Sequence, residues 1–176
     1  MAIQFPKVTK TGDFIFQKDS ELRFGTVDGI DYVANRYAIL RRTGRVFIKE
    51  KIGNVLIEPK EDPRKGIEFF LTKMKETYSE NKIELYPLTS FKIRVDKNNY
   101  YLLTKKDNNS DLLDVDKDAV TLLYESFFGE YKYFLSNSDD KAKIVIEDGD
   151  GNIIGVQVCI INIELNDLLK STPLYK

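Results

Sequence analysis

The sequence predicts an α+β protein, mostly antiparallel β-sheet with two main helices. Three observations predict it. Apolar and polar residues alternate through the first 60 residues and again after residue 82. Apolar stripes at helical spacing interrupt that pattern twice, near 67–78 and 119–127. Turn-forming residues fall at short intervals between the alternating runs.

The elements follow in order. Phe14 and Phe16 alternate around Ile15, and residues 21–24 alternate polar and apolar. Asp28-Gly29 marks a hairpin turn. Tyr37 to Leu40, Thr43-Gly44 and Val46 to Ile48 read as a second hairpin, with a further strand at Asn54 to Ile57. Glu61-Asp62-Pro63 then supplies acid and a proline for a first helical turn. Ile67, Phe70, Leu71, Met74 and Tyr78 make one stripe, which predicts a helix over 63–79. Strands follow at 82–86, 89–95 and 100–104, with Asp96 to Asn99 as a turn.

Residues 105–111, KKDNNSD, are polar and form the best internal boundary. Ala119, Val120, Leu123 and Phe127 predict a second helix over 117–128, with Asp116 as N-cap and Gly129 as C-cap. Strands at 131–135, 142–147 and 153–162 complete the pattern, and the tail from Glu164 adds at most a helical turn.

Composition closes several chemistries. At 176 residues with 42% hydrophobic content the chain can bury a core of one domain. Histidine is absent, which removes the common general base and all Ser-His, Cys-His and histidine-metal arrangements. The single Cys159 permits no intramolecular disulfide and sits in an alternating strand, where it reads as a small buried hydrophobe. No apolar run is long enough to span a bilayer, and the start MAIQFPKVTKTGDF lacks a secretory stretch, so a cytoplasmic protein is expected.

Charge is divided unevenly. Residues 1–106 carry 21 Lys+Arg and 14 Asp+Glu, whereas residues 107–176 carry 6 and 14. Either the fold holds a basic face and an acidic face apart, or it mixes the two halves.

Two acidic stretches resemble calcium loops and fail the test. In Asp148 to Cys159 the sixth and twelfth positions are Ile153 and Cys159, where glycine and a carboxylate are required. A hairpin loop at Gly149-Asp150-Gly151 fits better, pairing Ile146 with Ile154 and Ile144 with Val156. In Asp114 to Glu125 the sixth position is Ala119, so the acids are read as a helix N-terminus. No metal and no cofactor are expected, and no glycine-rich phosphate loop occurs.

The densest basic stretch is Arg36, Arg41, Arg42, Arg45, Lys49 and Lys51, interleaved with Tyr37 and Phe47. Arg64, Lys65, Lys73 and Lys75 add cations on the first helix. Their functional reading is phosphate contact; their structural reading is the solvated side of an edge hairpin. Arg41 and Arg42 must point to opposite faces, so the set cannot all converge. Aromatic residues such as Phe91, Tyr100, Tyr101, Tyr131 and Tyr133 are explained by core packing and cross-strand pairing before base stacking is needed.

The order strand, helix, three strands over 54–105 repeats over 111–162. With DKDAVTLLYESFFGEYKYFLS and AKIVIEDGDGNIIGVQVCII at its end, this order resembles one domain of a DNA sliding clamp, including clamp-like proteins encoded by phages. The resemblance implies a βαβββ-βαβββ unit over 54–162, preceded by a basic β-hairpin extension over 1–53 and followed by a tail over 163–176. It also implies a non-enzymatic replication accessory of phage or mobile-element origin. Such a factor would bind duplex DNA or a replication or defence protein, with oligomerisation needed to close a ring. The alternative is a small inhibitor that meets a host nucleic-acid-processing protein through Asp114, Asp116, Asp118 and Glu125. A Mg²⁺-dependent carboxylate enzyme is the third reading, and the missing histidines and motifs leave it least support.

Overall fold

The computed structural model describes residues 4–18, 21–59, 65–80, 82–95, 97–105, 118–136, 142–159 and 174–175. Seven strands come first: β1 (Lys7–Val8), β2 (Phe14–Gln17), β3 (Arg23–Val27), β4 (Ile30–Ala34), β5 (Ala38–Arg41), β6 (Val46–Glu50) and β7 (Gly53–Leu56). Helix α1 (Lys65–Glu80) follows. The chain then runs through β8 (Ile83–Val95), β9 (Asn98–Thr104), β10 (Ala119–Tyr124), β11 (Lys132–Ser136), β12 (Lys143–Glu147), β13 (Ile153–Val158) and β14 (Leu174–Tyr175).

These strands make two sheets. The large one has the order β10-β9-β8-β11-β12-β13-β5-β4-β3, with β14 also against β8. The small one has the order β1-β2-β6-β7, in which β2 and β6 are parallel. All other pairings are antiparallel.

Strand alternation gives the large sheet two apolar faces. On β4, Val33 joins one core while Tyr32 and Ala34 join the other; on β11, Tyr133 and Leu135 oppose Phe134 in the same way. Burial on both sides is why these strands carry few polar positions. One face receives α1, whose Ile67, Leu71, Met74 and Tyr78 are all buried as the helical stripe predicts. Gly25 on β3 lets the helix approach, since a Cβ there would lie 3.2 Å from the Cβ of Ile67. The other face holds the larger core with Phe14, Phe16 and Val46 of the small sheet.

The second predicted helix is not a helix. Residues 119–124 form β10, and Glu125–Phe127 make a single 3-10 turn. Within 119–127 a helix would turn only Ala119, Val120, Leu123 and Phe127 inward. The strand buries Thr121, Leu122, Leu123 and Tyr124 together, on both faces. Valine and threonine side by side also favour the extended chain. Gly129 is therefore no helix cap; its N–H donates to the Tyr133 hydroxyl at 3.0 Å. Among the described residues the architecture is β-rich with one α-helix, so the strand-helix-three-strand repeat has its helix in the first half only.

Two strand expectations also change. The stretch 37–48 is not a hairpin, because β5 lies in the large sheet and β6 in the small one. The chain crosses between sheets at Thr43-Gly44, where a Cβ on Gly44 would stand 2.6 Å from the Gly12 carbonyl oxygen. The last hairpin keeps its loop but not its register. Gly151 has φ 80°, as a three-residue loop requires, yet Ile146 faces Gly155 and Ile144 faces Gln157. A β-bulge at Ile146/Glu147 absorbs Ile154 and shifts the partners by one. Asp28-Gly29 turns as expected, with both φ values positive at 50° and 77°.

The large sheet curls until the outer edge of β10 meets the face of β13. There the Gln157 side chain, fully buried, accepts from the Tyr124 N–H at 3.0 Å and donates to the Leu122 carbonyl at 2.7 Å. One amide thus substitutes for a neighbouring strand. No helix among the described residues is long and apolar enough to cross a membrane.

Candidate nucleic-acid interface

The outer face of the small sheet gathers the most distinctive unburied set. Cross-strand partners share a face, so the register places Lys7, Ile15, Phe47 and Leu56 in one row across β1, β2, β6 and β7. Gln17, Lys49 and Asn54 form the next row. Phe14, Phe16 and Val46 point the other way, into the core, and Ile48 shares their face by its pairing with Phe16. Leu56 is 45% exposed and Phe47 half-buried, and among the described residues none of Ile15, Phe47 and Leu56 packs against either core.

Arg45 completes the face. Its guanidinium lies over the Phe47 ring, 5.2 Å from the centroid, within reach of a cation-π attraction. Asp13 holds it in place, accepting from the Arg45 backbone N–H at 2.8 Å and from the guanidinium at 3.1 Å. Those hydrogen bonds keep the Asp13 carboxyl below its usual range. Arg45, just before β6, thus precedes Phe47 and Lys49 at two-residue spacing, and Lys7 joins from β1.

The other predicted cations are dispersed. Arg36 lies at the β4–β5 turn, over Tyr37 at 6.0 Å. Arg41 and Arg42, at the far end of β5, separate as the alternation requires. Arg41 pairs with Asp148 at 3.6 Å, while Arg42 lies over Phe24 at 5.9 Å and donates to the Gly44 carbonyl at 3.3 Å. Lys51 is exposed in the β6–β7 turn. Lys65 opens α1, and Lys73 and Lys75 are exposed farther along it, on the opposite side of the large sheet from the small one. Arg64 lies outside the described residues.

The acidic set is partly described. Asp114 and Asp116 fall outside the described residues. Asp118 precedes β10, and its carbonyl accepts from the Lys105 N–H at 3.2 Å. Glu125 is bound by the Lys92 ammonium and by the Asn99 amide at 2.9 Å, which lower its carboxyl from the usual range. The hairpin loop likewise consumes Asp148. One carboxylate oxygen accepts from the Asp150 and Asn152 N–H groups at 3.0 and 2.9 Å, and the other faces the Asn152 amide at 3.3 Å. Among the described residues no group of three acids or thiols could hold a metal ion.

Two buried polar groups are structural in their contacts. Glu147 on β12 accepts from the Tyr78 hydroxyl of α1 and from Lys82 at 3.1 Å, which ties the helix end to the sheet. The Cys159 thiol is pushed up to about 12, chiefly by burial, and so stays protonated at neutral pH. A cleft between the two sheets, lined by Val8, Phe14, Leu40, Arg41, Thr43 and Tyr131 among others, holds about 90 Å³. That is well below the roughly 300–1,000 Å³ of a substrate pocket.

Sequence reasoning found Arg45 and Lys49 but missed Lys7, Ile15 and Leu56. The Arg45-x-Phe47-x-Lys49 alternation was a readable sign of one shared face. Lys7 carried no such sign, because only the β1–β2 register brings it there. No protein-family model, curated protein or solved structure matches this chain.

Proposed function

We propose that this chain is a non-enzymatic binding protein that contacts nucleic acid through the outer face of its small sheet. The supporting observation is the gathering of Lys7, Arg45 and Lys49 around Phe47, with Asp13 engaged by Arg45. Phosphates are neutralised by such cations, and release of counterions drives association. Catalysis has less behind it: Glu125, Glu147 and Asp148 are each paired with a cation, and the cleft between the two sheets is small.

A clamp-like role that encircles duplex DNA remains a narrower version of the same proposal and rests on element order. It needs cation-bearing helices lining a hole, and the 119–124 segment is a strand. Fold analogy alone does not carry a function.

The test is a salt titration with fluorescently labelled DNA. Binding at about 50 mM salt should weaken linearly in log affinity against log salt, with a slope reduced by about one phosphate contact in Lys49→Gln. An absence of binding to any DNA form at that salt overturns the reading.

A further inference from the structure

We infer that the ligand of this face is single-stranded nucleic acid, with a base stacked on the ledge made by Phe47 and Arg45. This deepens the nucleic-acid reading and rests on it. Three features of the face select an unpaired strand over a duplex.

The first is the ring itself. Phe47 is half-buried in a row whose two ends, Lys7 and Leu56, are exposed, and the Arg45 guanidinium lies 5.2 Å from its centroid. A phenyl ring and a guanidinium plane are both surfaces on which an unstacked base rests. A base inside a duplex already stacks on its neighbours and cannot reach them without being flipped out.

The second is the shape of the surface. The face is built from four short strands, with Leu56 on the edge strand β7 and Ile15 beside Phe47. It presents side-chain rows across a sheet, as single-strand binders do, and no helix that could enter a major groove roughly 12 Å wide.

The third is the arrangement of polar groups around the ring. Lys49 stands two residues beyond Phe47, roughly 7 Å away along the strand, while the Arg45 guanidinium lies over the ring itself. A sugar-phosphate backbone crossing the sheet meets Lys49 beside the stacked base. Gln17 and Asn54, exposed on either side of Lys49, offer amide donors and acceptors to base edges. Asp13 leaves part of the guanidinium fork unused, since it takes one of the terminal nitrogens.

The experiment uses the whole chain, an oligothymidylate of about 12 nucleotides, within the site sizes of small single-strand binders, and a blunt duplex of the same length. Anisotropy should show the single strand bound at least about tenfold more tightly than the duplex. Phe47→Leu keeps apolar bulk and removes the flat ring; it should cost the single strand about tenfold and leave duplex affinity unchanged. Arg45→Lys keeps the charge and loses the plane, and should fall in the same direction. Lys49→Gln, at an exposed position that cannot unfold the sheet, should lower the single-strand salt slope by about 0.7. Equal affinity for both forms, with Phe47→Leu indifferent and its melting curve unchanged, overturns the stacking ledge while leaving the electrostatic reading intact. No binding of either form overturns both.

Discussion

At the scale of single residues, the molecule depends on buried polar side chains that act as connectors. Gln157 is the clearest. It has no exposure, and its amide occupies both a donor and an acceptor on the outer edge of β10. Replacing it with leucine keeps the volume close and strands a buried N–H and a buried C=O. Each unsatisfied group costs about 1–3 kcal/mol, so Gln157→Leu should lower stability by about 2–6 kcal/mol and reduce the urea midpoint accordingly. A midpoint equal to wild type would mean that β10 does not need the bridge. Nothing local in Ile-Ile-Gly-Val-Gln-Val foretells this role, because the edge that Gln157 serves belongs to a strand more than thirty residues earlier. Tyr78 and Glu147 are hidden in the same way. The helical stripe foretold that Tyr78 would be buried, but not that its hydroxyl would meet a carboxylate from β12.

Among elements, turns and single amphipathic patterns were legible, while continuous apolar runs were not. The stripe of α1 and the glycine-bearing turns carry their geometry in a few adjacent residues. Asp28-Gly29 and Gly149-Asp150-Gly151 are examples, since positive φ restricts which residues can serve. The run from Ala119 to Tyr124 fits a helix stripe and a doubly buried strand equally by period. Only the arrival of β9 on one edge and Gln157 on the other decides between them. The β5–β6 misreading has a related origin: a turn signal at Thr43-Gly44 marks a change of direction, and nothing in it says that the next strand joins another sheet. The loop chemistry makes a sharp prediction. Gly151 has φ 80° with open space around it, so Gly151→Ala is penalised by backbone conformation alone, by about 1 kcal/mol. That corresponds to a melting temperature lower by about 2–4 °C. Gly149, also in open space but without positive φ, should accept alanine with no measurable loss. Equal behaviour of the two variants in a thermal melt would refute the loop conformation.

For the whole molecule, the charge asymmetry of the sequence becomes a set of bonds between its halves. Arg41–Asp148, Lys82–Glu147 and Lys92–Glu125 each join a cation from before residue 107 to an acid from after it. In the described residues the fold therefore mixes the two halves rather than holding them apart. Stability should follow pH in a shape set by these pairs and by the buried phenols. Asp13, Asp148 and Glu125 have folded-state values lowered by their partners, from ordinary values of 3.8, 3.8 and 4.5. Their contribution is present above those values and disappears as pH falls through the lowered ones, because the unfolded chain then binds more protons. Tyr32, Tyr78, Tyr124 and Tyr133 are raised from 10.0 mainly by burial, Tyr133 up to about 12. Their contribution is present below pH 10 and fades above it, because the folded state then holds the extra protons. With no histidine in the chain, Cys159 is the one side chain whose ordinary value, 9.0, lies between these limits. Burial raises it, so its contribution too is present below about pH 9 and fades above, joining the alkaline limb. Melting temperature should thus be level from about pH 5 to 9, with an acid limb below and an alkaline limb above. Tyr78→Phe should shrink the alkaline limb, and Glu125→Gln the acid one. A step in the melting temperature between pH 6 and 8, tracked by scanning calorimetry at about pH 5, 6, 7, 8 and 9, would show that some other group controls the fold.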